Sequence, residues 1–172
     1  MQTKPQECDV PHASRIAKRL AGASFYDAWR VVSNHPERSS LEHFLAAAER
    51  TPRWVNTAMT ARNRIVQRLG LKNLGTLSEF DRTRSPESYQ PGERIGIFTL
   101  FEVSFDEVLF GDRDKHLDVV LSVYRRPLTP HSVEVTLTTV VHVKNWLGRI
   151  YMLPVTPAHR RIVPAVLTGL AA

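Results

Sequence analysis

From Ile95 to Lys144 the chain alternates. In the last run, Val133, Val135, Leu137, Thr139, Val141 and Val143 fall on one parity, with Ser132, Glu134, Thr136, Thr138, His142 and Lys144 on the other. A period of two is the spacing of a β-strand, whose successive side chains point to opposite faces. Earlier runs at Ile97 to Val103, Glu107 to Phe110 and Lys115 to Arg125 read the same way. Gly111-Asp112 and the segment Arg126 to His131 supply turns between them. The pattern predicts an antiparallel meander with one buried and one largely wet face.

A sheet with one apolar face needs a cover, and the flanking segments have helical periods. Ser24 to Val32 is aromatic and β-branched, which predicts a first strand. Ser39 stands three residues before Glu42, the spacing of a capping box, and alanines carry the helix to Arg50. Thr51-Pro52 starts a second helix, Arg53 to Leu69, which Gly70 stops. After Lys144, Trp146, Leu147, Ile150 and Tyr151 resume a helical period, which Ile162, Val163, Val166, Leu167 and Leu170 continue. Pro154 predicts a kink there, and Pro157 starts a second helical piece. The fold class is therefore α+β: a curved antiparallel sheet wrapped on a kinked C-terminal helix, with two short helices after the first strand. Residues 1–22, polar and broken by Pro5 and Pro11, read as a loosely ordered arm before a single domain at 23–172. Lys72 to Arg94, with Gly75, Pro86, Pro91 and Gly92, reads as a wandering connection, with a lid as the alternative.

Composition removes several function classes. Cys8 is the one cysteine in 172 residues, so there is no internal disulfide or CxxC pair. The N-terminus has no apolar signal region, and the longest uncharged stretch, Ile162 to Ala172, is far below the roughly 20 residues that span a bilayer. A cytoplasmic location follows as the expectation. The net charge of +6 is uneven: residues 1–86 hold 14 Lys or Arg against 8 Asp or Glu, and residues 87–172 hold 9 against 9. Arg50, Arg53, Arg62, Arg64, Arg68 and Lys72 occur with no acid among them. Such a run reads first as a solvated face. Nucleic acid is an unlikely partner, because Trp54 alone supplies the aromatic interleaving that stacked bases require.

No GxSxG, P-loop, GxGxxG or HExxH occurs, and no cofactor is expected. The seven histidines include no HxH and no i,i+4 pair, so no metal site is expected either. The informative residues break the binary pattern. On a wheel of the second helix, Arg62 falls within the arc of Trp54, Val55, Ala58, Met59, Ile65, Val66 and Leu69. His159 likewise falls at the centre of the apolar arc of the final segment. Arg62 and His159, with Tyr151 and Trp54 as amphipathic walls, are the candidate polar contacts of an apolar pocket. The competing reading pairs Arg62 with an acid and His159 with a carbonyl in a filled core. His116 and Asp118 stand two apart on one strand and share a face, either as a hydrogen-bonded pair or as a proton-transfer site. His142 is a candidate cross-strand neighbour for His116. Asn145, Arg149 and Tyr151 read as caps and carbonyl partners, and Gly148 as a point of close packing.

The element order resembles the helix-grip arrangement of the START and polyketide-cyclase-like (SRPBCC) superfamily. That resemblance implies an apolar ligand between sheet and C-terminal helix. A closer resemblance rests on Pro52-Arg53-Trp54-Val55, Arg62-Asn63, Gly70-Leu71, Gly111-Asp112, His116-Leu117-Asp118, Thr138-Thr139-Val140-Val141, and Asn145 with Leu147-Gly148-Arg149 through Tyr151. The ending Pro154-Val155-Thr156-Pro157-Ala158-His159-Arg160-Arg161-Ile162-Val163 extends it. From about Ser24 onward these are similar to an uncharacterised bacterial domain-of-unknown-function family. Some of its members are appended to dinucleotide-binding epimerase-like domains, so the resemblance implies a stand-alone version here, without an assigned activity.

The function expected is binding of a small hydrophobic or amphipathic ligand between sheet and C-terminal helix. One alternative is a cyclase, isomerase or hydrolase using His159 or His116 as acid or base. The other is a basic module for nucleic acid or anionic membrane at residues 50–72.

Overall fold

The computed structural model describes residues 4–68 and 80–170. Among these, seven strands form one curved, open antiparallel sheet: β1 (Gln6–Glu7), β2 (Phe25–Ser33), β3 (Arg94–Ile95), β4 (Phe98–Val103), β5 (Glu107–Arg113), β6 (Leu117–Thr129) and β7 (Ser132–Val143). Their order is β1-β2-β7-β6-β5-β4-β3. The strands β4 to β7 are the predicted meander, each paired with its chain neighbour as short connections favour. β2 joins the far side of β7, with Phe25 opposite Val141 and Val31 opposite Val135.

Three helices are described. α1 (Ser40–Glu49) carries the expected capping box: Ser39 Oγ accepts the Glu42 amide, and the Glu42 carboxylate accepts the Ser39 amide. α2 (Arg53–Arg68) follows, and α3 (Trp146–Leu167) ends in a 3-10 turn at Thr168–Leu170. α1 and α3 lie on the inner face of the sheet. Their Leu41, Phe44, Ala47, Val163, Leu167 and Leu170 share one core with Val31, Phe110, Val123, Val135 and Leu137. No described helix is long and apolar enough to cross a membrane.

α3 is one helix rather than two pieces joined at Pro157. Each proline deprives the carbonyl four residues earlier of its bond. Those freed by Pro154 and Pro157 belong to Ile150 and Leu153, residues 51% and 73% exposed, so neither break lies in the core.

The segment read as a loose arm meets the sheet at Gln6–Glu7 and again around Arg15–Arg19. β1 pairs with Trp29 and Arg30 of β2, and a 3-10 turn at Arg15–Arg19 lies on the outer sheet face. There Ile16 is fully buried in a second core with Leu109, Val120 and Val140. Glu107, itself buried, accepts from Ser14 Oγ, Ser122 Oγ and the Arg15 amide, which fixes the turn. The outer face is therefore not simply wet: Val140 of β7 is buried beneath this cover, and Thr136 and Thr138 on the same face are buried as well. A short segment whose apolar content is Ile16, Val10 and Leu20 gave little periodic signal, and its burial depends on the sheet it meets.

Of the expected connection at residues 72–94, residues 72–79 lie outside the described residues. The remainder is held in place. Arg84 stacks on buried Tyr89 at 4.1 Å and bonds Ser88 and Glu93, while Phe80 packs against the inner core.

Candidate functional site

The curvature that lets the sheet embrace α3 also separates them at one end. Between β2, β5, β6, β7, α2 and α3 lies a cavity of about 500 Å³, within the usual range for a small-molecule site of about 300–1,000 Å³. Hydrocarbon dominates its wall: Phe25, Val119, Leu121, Leu137 and Val141 from the sheet, Ala58 and Met59 from α2, and Met152, Val155, Ala158 and Ile162 from α3. The polar lining consists of Arg62, Asp112, Asp114, His116, Thr139, Tyr151 and His159.

Four of the six residues singled out from the sequence thus meet at one cavity: Arg62, His116, Tyr151 and His159. Arg62 projects from α2 to α3, where its Nε donates to Tyr151 Oη at 2.8 Å and its guanidinium lies 5.5 Å from the centroid of that ring. A second guanidinium nitrogen donates to Asn63 Oδ1 at 2.9 Å. Both acceptors are neutral, and Arg62 has no carboxylate partner among the described residues. A guanidinium has five N–H groups, so donors remain for an occupant of the cavity.

His159 meets a residue that sequence reasoning missed. Its Nε2 lies 3.1 Å from Asp27 Oδ1, and the other oxygen of Asp27 accepts Trp29 Nε1–H at 3.1 Å. The Asp27 side chain is 1% exposed. The Phe25 and His159 rings meet edge to face, with centroids 5.6 Å apart and planes at 89°. The signal for Asp27 was its parity with Phe25, Trp29 and Val31, but apolar residues on both parities of β2 concealed it. Thr139 stands directly opposite Asp27, 2% exposed, with its hydroxyl unpaired among the described residues. Asp112 was read as a turn residue. β5 instead continues to Arg113 and carries Asp112 on the inward parity of Val108 and Phe110.

His116 sits in the β5–β6 turn, where Asn145 organises it. Asn145 caps α3 by accepting the Gly148 amide, and its Nδ2 lies 2.9 Å from His116 Nδ1 and donates to the Lys115 carbonyl. Asn145 Oδ1 lies 3.1 Å from the same ring nitrogen, so the amide holds the ring without fixing its tautomer. Gly148 is required by close approach: a Cβ there would come 2.5 Å from the His116 carbonyl oxygen.

Two expected site residues are elsewhere. Asp118 does not join His116; it lies on the outer face, opposite His142, with Lys144 Nζ 2.7 Å from its carboxylate. His116 precedes the strand, so the two-residue spacing does not place both on one face. His142, on that same outer side, bonds the Ala21 carbonyl rather than approaching His116. Trp54 is 50% exposed and does not line the cavity. The buried row of α2 runs through Val55, Met59 and Asn63, and at 100° per residue Trp54 stands about 140° from its middle. The basic run is likewise divided: Arg50 bonds the Gly169 carbonyl, Arg62 enters the cavity, and Arg53 and Arg64 face solvent.

No group of three or more His, Cys, Asp or Glu able to hold a metal occurs among the described residues. No curated protein and no solved structure matches the chain. A family model described as a protein of unknown function, DUF2867, does match, over residues 19–166. The chain belongs to that family.

Proposed function

We propose that this protein binds a small, mainly apolar molecule with a hydrogen-bond-accepting end, in the cavity between the sheet and α3. The observation that carries the reading is the position of Arg62. Its charge faces a hydrocarbon-walled space of about 500 Å³, with only neutral partners among the described residues. Apolar walls with a few fixed polar groups are the usual composition of small-molecule sites. The resemblance to START and polyketide-cyclase-like proteins supports the same reading by fold analogy, which does not select a ligand. A cytoplasmic bacterial setting belongs to this proposal, supported by the lone cysteine and the family resemblance.

The test is titration with N-phenyl-1-naphthylamine, a neutral fluorophore that brightens in apolar surroundings. Saturable binding with one site per chain is expected, with Ala158→Trp, which puts an indole into the cavity, weakening it at least tenfold. Unaltered binding by a folded Ala158→Trp protein would mean that the probe sits elsewhere, and absence of binding would remove the receptor reading.

A further inference from the structure

The cavity contains an arrangement that simple binding does not require. A histidine in its wall is oriented by a buried carboxylate, and that carboxylate is itself held by an indole N–H. We propose that Asp27 and His159 form a proton-transfer pair, with His159 as general base toward a small apolar substrate that carries an acidic C–H. The inference rests on the cavity reading above and adds chemistry to it.

The hydrogen bonds assign the roles. Asp27 is an acceptor on both oxygens: Oδ2 takes Trp29 Nε1–H, and Oδ1 faces His159 Nε2. The neutral imidazole therefore carries its proton on Nε2, toward Asp27, and keeps a lone pair on Nδ1. Nδ1 has no hydrogen-bond partner among the described residues. Positive charge arising on the ring during proton transfer is stabilised by the adjacent carboxylate. The perpendicular contact with the Phe25 ring limits ring rotation, and the surrounding hydrocarbon strengthens each of these interactions. Asp27 is a positioning residue, and His159 is the catalytic residue. Arg62 supplies N–H donors for the charge that develops on the substrate.

The probe is 5-nitrobenzisoxazole, a flat apolar molecule that opens when a base removes its single ring C–H proton. That proton passes to His159 Nδ1. The C–H electron pair becomes part of a nitrile, the N–O bond breaks, and the oxygen leaves as a coloured phenolate. Imidazolium then returns its proton to water, so no oxidant, reductant or co-reactant is needed. The full-length protein is expected to open the probe faster than an equal concentration of free imidazole. His159→Gln is expected to lower that rate about 100-fold while the far-ultraviolet circular dichroism of the folded protein is kept. Asp27→Asn should lower the rate about tenfold and shift the ¹⁵N signals of His159 from the Nε2–H pattern toward a tautomer mixture. A purely structural hydrogen bond would leave the probe rate unchanged. Two results overturn the proposal with the cavity intact: equal rates for wild type and His159→Gln, or a His159 proton on Nδ1 in the wild-type spectrum. Loss of fluorophore binding to the wild type would instead overturn the cavity reading, and this proposal with it.

Discussion

His159 Nε2 on the C-terminal helix lies 3.1 Å from Asp27 Oδ1 on β2, across 132 positions of sequence. The contact fastens the cover of the sheet to its second strand at the edge of a cavity. A carboxylate 1% exposed is costly to leave with one partner. His159→Leu is expected to cost about 3 kcal/mol of stability, and Asp27→Leu in the same chain should restore part of it. Chemical denaturation of the two single variants and the double variant measures the coupling. Additive losses would mean that the pair does not act as a unit.

Arg62 provides a second separation of stability from binding. Met has a similar length and no charge, so Arg62→Met removes the half-buried guanidinium without emptying its space. Its hydrogen bond to Tyr151 is lost, at about 1 kcal/mol, and relief of partial charge burial offsets it. The melting temperature should change by only a few degrees. Binding of dodecanoic acid should weaken about tenfold, one charge-assisted hydrogen bond's worth, while N-phenyl-1-naphthylamine binds as before. Calorimetry on both ligands gives the comparison.

His43 predicts a pH dependence of stability. It is fully buried on α1, with neither ring nitrogen hydrogen-bonded among the described residues. Burial, reinforced by nearby Arg38 and Arg125, pushes its pKa down to about 4. The folded protein therefore keeps His43 neutral below the pH near 6.5 at which the unfolded chain binds a proton. More protons on the unfolded state mean that stability rises with pH between about 4 and 6.5, and that acid removes up to about 3 kcal/mol. His43→Leu should flatten this part of the curve and raise stability at neutral pH by about 1 kcal/mol, since two unpaired polar atoms are removed. Urea unfolding across this pH range is the measurement.

Glu107 anchors the N-terminal segment to the outer sheet face. Glu107→Ala leaves Ser14 Oγ, the Arg15 amide and Ser122 Oγ without their shared acceptor. The expected cost is about 3 kcal/mol. Hydrogen exchange should rise at Ser14 to Leu20 and at Val120 and Val140 beneath it. The region around α3 should stay protected.

Gly148 has no room for a methyl group, because the His116 carbonyl oxygen lies 2.5 Å from where it would stand. That carbonyl is fixed by the Lys144 amide at 2.9 Å and cannot retreat freely. Gly148→Ala should cost about 2 kcal/mol, despite the better helix propensity of alanine, and displace the His116 ring from Asn145. A thermal melt and the His116 imidazole signals report both effects.

Much of this architecture was legible because its signals are local. The alternation of Val133 to Val143 fixed a strand and its inner face, and Ser39 with Glu42 fixed the start of α1 within a residue. Arg62 and His159 stood out because each interrupts an apolar arc on its own helix. Asp27 did not stand out, because β2 has apolar residues on both parities. Trp54 was misplaced because it sits at the edge of the apolar arc, about 140° from the middle of the row that turns inward. Asp118 was misplaced because the strand begins one residue after His116, which removes the parity argument.

The amino-acid order alone determined the long strands, the helical segments with their caps, and two of the inward-facing polar residues, Arg62 and His159, since backbone sterics, capping and amphipathic period act over a few residues. Only the tertiary structure decided that Asp27 meets His159, that Arg62 meets Tyr151 rather than an acid, and that Ile16 closes a second core on the outer face. Those outcomes depend on strand order, sheet curvature and the axis of α3, all set by packing between segments up to 132 residues apart. Hydrogen bonds and burial at that range depend on distance in space, and neighbours along the chain carry no record of it.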